Sequence, residues 1–345
     1  MTSDVSSARR RQLTIRALQN MPLLLLVVVF LVFSALDARF FDPDTLINIM
    51  RQASYVGFLA IGLTFVLLTA GIDLSVGAIA YLSAVLVADV LAGTGLPVFG
   101  IVALMVAIGA IAGAVNGVLV GWARIVPFIV TLAAMGVYRG AALGQSQSQE
   151  QNYPTALTEL GNSAVLGIPL PVILFVVVAA VSHVVLTRTP YGRQVSAVGH
   201  DPVAAERAGI RTRWVLVSVY VISGAMAGLA AFVAVIQLGT VIPSFGVADE
   251  FDAIAAAVLG GASLFGGRGS IFPGTVAGAL LVQMINVGLV FMQVDLYVTP
   301  MVSAAVIFFA VMVDAYRTRL LDRLDRKSIR LAETEPATAT VGSER

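Results

Sequence analysis

The amino-acid sequence reads as an all-α polytopic membrane protein: about ten transmembrane helices with an inverted-repeat core and both termini in the cytoplasm. Three observations lead there. Of its 345 residues, 58% are hydrophobic and only 12% charged, with a mean hydropathy of +0.93. A soluble domain carries about a quarter of its residues as charges. The apolar runs reach about 18 residues or more, the length that crosses a bilayer. The arginines fall on one side of those runs. A water-soluble enzyme and a disordered chain are both excluded.

The spans follow in order. The first, 20–36, comes after Arg9, Arg10, Arg11 and Arg16 and has no small-x-small cleavage pattern behind it. It therefore reads as a retained signal anchor behind a basic arm, 1–19, rather than a cleaved signal peptide. Spans 54–70 and 75–93 are separated by an abrupt turn. There Gly71 is suited to end one helix, and Asp73 or Ser75 to cap the next; a plain capping role for Asp73 is the simplest reading. Span 98–121 carries Gly109, Gly113, Gly117 and Gly121 at four-residue spacing, a stripe that lets another helix approach closely. Spans 125–142 and 169–187 flank a polar external run, residues 145–151.

Between spans six and seven lies the internal loop 188–213, with a short helix written into it. Asp201 is a good N-cap, and Pro202 suits the first helical position. Ala204, Ala205 and Glu206 favour helix, and Gly209 suits the C-terminal turn. A helix this short is marginal alone, so it calls for a protein partner or the membrane surface; an ordinary interfacial connector is the alternative. Spans 214–237, 251–265, 270–291 and 296–314 complete the membrane domain, 20–316. A second abrupt turn, with Gly260, Gly261, Gly266, Gly267 and Arg268, separates the eighth and ninth. The polar tail, 317–345, reads as disordered.

Orientation follows from the positive charges. With the N-terminus inside, 18 of the 21 Lys and Arg residues fall in the cytoplasm, and only Arg39, Arg51 and Arg139 fall outside. Both abrupt turns then lie on the internal side. The halves that begin near residues 54 and 214 enter from opposite faces, which is the plan of an inverted repeat.

Other classes are excluded by what the sequence lacks. A net charge of +1 gives no field for nucleic acid, and there is no cysteine for a thiolate metal site. Two histidines, His183 and His200, do not make a multi-histidine metal centre. The lone lysine, Lys327, follows no glycine-rich segment, so the chain has no phosphate loop of its own and calls for no cofactor. No ionisable residue is expected near the midplane, which favours energy supplied from outside the chain over ion coupling. The candidates for a translocation path are uncharged: Asn116, Thr131, Gln283 and Asn286. They suit a neutral, hydroxyl-rich solute, and the alternative is hydrogen bonding that holds the bundle together.

Four motifs occur in order: Gly71-Ile72-Asp73-Leu74-Ser75-Val76-Gly77; Thr131-Leu132 through Arg139-Gly140; Gly192-Arg193 through Ala204-Ala205-Glu206-Arg207-Ala208-Gly209-Ile210; and Leu259-Gly260-Gly261 through Gly266-Gly267-Arg268-Gly269-Ser270. Together they resemble the ribose-type permease subunits of bacterial ABC importers, within the branched-chain amino-acid/ribose permease superfamily. The resemblance implies a multi-pass inner-membrane protein with four kinds of partner. These are a second permease subunit, cytoplasmic ATPase subunits, an external solute-binding protein and a sugar or polyol substrate. It implies that 201–209 is the coupling helix that docks into the ATPase, with Gly192 and Arg193 beside it. The run 145–151 departs from the expected pattern by lacking apolar and aromatic residues. Pentoses, hexoses, inositols and related polyols all fit. A branched-chain amino-acid permease and a stand-alone secondary carrier remain as alternatives; a membrane-embedded enzyme would need a buried nucleophile, paired carboxylates or a metal site.

Overall fold

The computed structural model describes residues 21–93 and 95–295, together with 297, 298, 300–302, 304, 305, 308, 309 and 312. The basic arm 1–19, the tail 317–345 and much of the tenth expected span, 296–314, lie outside the described residues.

Helix α1 runs Met21–Leu36 and ends in a 3-10 turn, Ala38–Phe41. Asp37 caps that turn: its carboxylate takes the Arg39 backbone N–H at 2.9 Å and the guanidinium at 2.7 Å. The side-chain bond to Arg39 holds this carboxyl below its usual range. Helix α2, Pro43–Leu68, starts well before the expected residue 54, because Pro43 sits in its first turn where no N–H is needed. After a break, α3 runs Val76–Gly93, α4 Val98–Gly121 and α5 Pro127–Gln145.

Small elements follow: strand β1 (Gln151–Asn152), helix α6 (Thr155–Asn162), and strands β2 (Ala164–Val165) and β3 (Ile168–Pro169), which pair as a hairpin. Helix α7 runs Leu170–Arg188. The segment read as a loop with one short helix holds two: α8, Pro190–His200, and α9, Pro202–Arg207. Thr189, whose side chain accepts from the Gly192 N–H, and the helix-starting Pro190 were the missed signals for α8.

Helix α10, Thr212–Leu238, is the longest; strand β4 (Thr240–Val241) pairs antiparallel with β1, Gln151 opposite Val241. Helix α11 covers only Asp249–Leu259. Its 11 residues rise about 16 Å, about half the thickness of a bilayer core, so this helix fills only part of the expected span 251–265. A π turn, Ile271–Thr275, leads into α12, Val276–Phe291. Among the described residues, six helical stretches are long and apolar enough to cross a membrane: α2, α4, α5, α7, α10 and 271–291; α1 and α3 are shorter apolar helices.

The core is α10 packed along α4 and α2. The glycine stripe makes the first contact possible. A methyl group at Gly109 would overlap the Gly224 carbonyl, and one at Gly113 the Tyr220 carbonyl. Gly224 is equally constrained by the Gly109 carbonyl, so the two backbones touch. Helices α2 and α10 and the 271–291 stretch are buried over most of their length, while α4, α5 and α7 keep most of their apolar surface outward. Without water to hide from, such surfaces suit lipid.

Candidate functional site

The first helix break is built around a buried carboxylate. Helix α2 ends at Leu68, and the chain reverses at Ala70, which holds φ +59°. Gly71 therefore does not supply the left-handed residue; it packs closely, and a Cβ there would sit 2.8 Å from the Tyr220 hydroxyl. Asp73 Oδ1 accepts from the Ser75 N–H at 3.0 Å and from the Ser75 hydroxyl at 2.6 Å, which starts α3 as expected of a cap. Its Oδ2 accepts from the Ser223 hydroxyl at 2.8 Å.

The network continues outward. Asn116 Nδ2 donates to Ser75 Oγ at 2.8 Å, and the Tyr138 hydroxyl lies 3.2 Å from Asn116 Oδ1 and 2.9 Å from the Ala112 carbonyl. Thr131 donates to the Ile72 carbonyl at 3.2 Å. Asp73, Ser75, Asn116, Thr131 and Ser223 are all fully buried. Ser223 is the twelfth of the 27 residues of α10, so Asp73 lies near the middle of that helix. The expectation of an interior without ionisable groups is thereby corrected. A turn read as internal doubles back and carries Asp73 inward.

The four path candidates do not form one group. Asn116 and Thr131 join the Asp73 break. Gln283 donates to Gln52 on α2 at 2.6 Å, and Asn286 lies 3.3 Å from Asp252 on α11. Tyr138 was not singled out in the sequence; its position seven residues after Thr131 places both on one helix face and could have flagged it.

The turn between α10 and α11 also doubles back. Gly246, at φ +71°, packs against Gly77 at the start of α3, and a methyl on either glycine would overlap the other's carbonyl. The N-termini of the two helices that follow breaks, α3 and α11, thus face one another. Glu250 is consequently buried at 6% exposure, with a carboxylate oxygen 3.3 Å from where a Gly77 Cβ would stand. Arg139 fastens this turn: its guanidinium donates to the Pro243 carbonyl at 3.2 Å and the Phe245 carbonyl at 2.9 Å and lies over the Tyr81 ring. The Tyr55 hydroxyl donates to Asp249 at 2.5 Å. Nothing in a linear pattern shows a turn folding inward, so the setting of Asp249, Glu250 and Asp252 was not legible in the sequence.

On the other side, three segments meet at one carbonyl. The Gly267 N–H donates to the Leu68 carbonyl at 2.8 Å, closing the end of α2 with the second glycine turn. Gly199, near the end of α8, lies so close that a methyl there would overlap the same oxygen. Within the second turn Gly261, Gly266 and Gly267 hold φ of +91°, +85° and +74°. Gly260 packs on Gly274, and the Arg268 carbonyl accepts from the Ser263 N–H at 2.8 Å.

Helix α9 forms as the sequence indicates. Asp201 accepts from the Val203 and Ala204 N–H groups at 2.9 and 3.0 Å, Pro202 opens the helix, and Gly209 turns at φ +83°. Ala205 is buried beneath, while Arg193, Ala204 and Glu206 are exposed. Gly192 is buried against the Leu186 backbone at the end of α7. Among the described residues no group of three or more His, Cys, Asp or Glu is placed to hold a metal.

Comparison with known proteins gives a consistent answer. Residues 45–311 match the family described as branched-chain amino acid transport system / permease component. The ribose import permease protein of Bacillus subtilis is 39% identical over 298 residues, 85% of this chain and 91% of that protein. The ribose import permease protein of Haemophilus influenzae is 34% identical over 296 residues, 84% of this chain and 91% of that protein. The fructose import permease protein of Rhizobium meliloti is 36% identical over 306 residues, covering 86% and 84%. No solved structure matches.

Proposed function

The chain belongs to the permease family of the branched-chain amino acid transport system, and from that premise we propose that it is the membrane permease of an ATP-driven importer for a neutral sugar or polyol. The observation that carries the reading is the similarity, over more than four-fifths of the chain, to import permeases named for ribose and fructose. The chain is a multi-pass protein of the inner membrane and a transport component, not an enzyme. The finer reading has ten spans, both termini in the cytoplasm, and the halves starting with α2 and α10 as an inverted repeat. Support comes from their matched plan: each long helix is followed by a break and then a helix whose N-terminus meets the other's at Gly77 and Gly246.

In this reading ATP is hydrolysed on separate cytoplasmic subunits that dock on the exposed face of α9, with Asp201, Pro202, Ala204, Glu206 and Gly209 shaping it and Arg193 beside it. Ala205 and Gly192 anchor it to the permease. A second permease subunit and an external solute-binding protein complete the assembly. The shared Leu68 carbonyl supports the coupling role, since the end of α8 touches both helix breaks there. Asn116, Thr131, Gln283 and Asn286 would offer hydrogen bonds to a hydroxylated solute as the breaks shift.

One observation favours a stand-alone, ion-coupled carrier: the buried Asp73 carboxylate, since intramembrane acids often serve as ion relays. Against it, both Asp73 oxygens are occupied by the hydroxyls and N–H that build the break. Reconstitution in proteoliposomes separates the two. Solute uptake should require ATP, the ATPase and the binding protein; uptake by the permease alone on an ion gradient would overturn the importer reading.

A further inference from the structure

We infer that the cleft at the start of α10 is a binding site for an anionic phospholipid of the inner leaflet, with the lipid phosphate held by Arg211 and Arg213. Two cavities, of about 510 and 290 Å³, meet there and share Arg211 and Trp214 in their walls. The smaller also has Arg213 and Trp122 in its lining, with Glu206 as its acid, while Tyr191, Gln194 and Ser218 line the larger.

The chemistry of these walls fits a lipid. Among the described residues neither Arg211 nor Arg213 is ion-paired, and both are exposed. The Arg213 guanidinium lies over the Trp122 ring, 5.4 Å from its centroid, which aims it without neutralising it. The chain's two tryptophans, Trp122 and Trp214, pack edge to face at 5.7 Å and are each about half exposed, the arrangement aromatic rings take at a headgroup boundary. The positive end of a 27-residue helix adds to the field.

What selects a lipid over a soluble anion or a protein is the surface beside the cleft. Val118, one turn before Trp122 on α4, and Val126, the N-cap residue of α5, are about half exposed, and both helices turn apolar faces outward. Acyl chains would lie along these faces while the phosphate reaches the arginines. A basic pocket between helices on the cytoplasmic side is the form that anionic headgroup sites take. The inference rests on the cytoplasmic placement of 188–213 in the proposed function.

The test is retention of lipid by the purified full-length permease, read by native mass spectrometry with phosphatidylglycerol and phosphatidylcholine supplied equally. The wild-type protein should keep phosphatidylglycerol in preference. R211Q/R213Q should keep it roughly twenty-five-fold less well, the product of about fivefold per arginine at a membrane surface, and R211K/R213K should retain most of the preference. Equal retention of the two lipids by the wild type overturns the site whether or not the variants fold. So does unchanged phosphatidylglycerol retention in R211Q/R213Q. Release of the lipid by millimolar inorganic phosphate would make it a soluble-anion site, and loss of ATPase co-purification with lipid retention intact would make it a protein-docking surface; either result refutes the lipid assignment. Retention in micelles does not depend on sidedness, so a failure of the topology appears separately, as outside labelling of Val203→Cys.

Discussion

Replacing Gly199 with alanine should disconnect α8 from the two helix breaks while leaving α9 intact. A methyl group there would overlap the Leu68 carbonyl oxygen and lie 2.6 Å from the Gly267 nitrogen and 2.8 Å from the Leu68 carbonyl carbon. All three are backbone atoms, so no side chain can swing aside. Overpacking of this kind costs about 1–3 kcal/mol. The Gly267 N–H to Leu68 carbonyl bond, 2.8 Å long, is pushed apart in the process. Leaving its buried partners unsatisfied costs another ~1–3 kcal/mol. Gly209→Ala is the control: nothing lies within 4 Å of its Cβ, and only the φ of +83° is strained. That strain is roughly 1–2 kcal/mol and confined to the end of α9. The assay pairs thermal melting of the purified permease with ATPase co-purification and solute uptake. Gly199→Ala should melt well below wild type and lose uptake while the ATPase still binds, because the exposed face of α9 is untouched. Wild-type melting and uptake in Gly199→Ala would refute the claim that these three segments act through one carbonyl.

Asp201→Ala removes the acceptor for two N–H groups and should weaken α9 by about 1 kcal/mol; Ala205→Pro should break it at about 3 kcal/mol and abolish both ATPase pull-down and uptake, whereas full retention of both would move coupling to residues 266–270. For sidedness, Gln149→Cys should react with an impermeant thiol reagent on intact cells and Val203→Cys only after permeabilisation; both side chains are exposed, whereas Ser146 is buried against Tyr81 and would report poorly. Asn116→Leu should lower detergent stability by ~0.6–2 kcal/mol per lost hydrogen bond, and if Asn116 lines the path it should also slow uptake by correctly assembled importer; a lowered melting point with normal uptake would leave it as structural glue.

Local rules made much of this molecule legible. The cap of α9 was readable because Asp201, Pro202 and Gly209 each act within four residues of themselves, and the glycine stripe of α4 was readable because its spacing already describes the face that α10 meets. What escaped was the path of the chain between helices. A hydropathy window sees 251–265 as apolar and cannot tell a crossing from an 11-residue half-helix followed by a turn. It also says nothing of where Asp249, Glu250 and Asp252, at the head of that run, are placed. Their true setting depends on Gly246 reaching Gly77, a contact between residues 169 positions apart.

The same limit applies to the path residues. Gln283 and Asn286 are three residues apart on one helix, yet they bond to different helices, Gln52 on α2 and Asp252 on α11. Asn116 could not be matched to Ser75 and Asp73 without knowing that the first break folds back to the middle of α10. Both sets of errors have one origin. A helix that ends within the fold must hand its unmatched backbone groups to partners elsewhere in the chain. Here the Leu68 carbonyl takes Gly267, and the Ser75 N–H takes Asp73. Of these, the Asp73 cap is local and was foreseen; the Gly267 bond spans nearly 200 residues and joins the end of α2 to the second glycine turn, where Gly199 of α8 packs against the same oxygen.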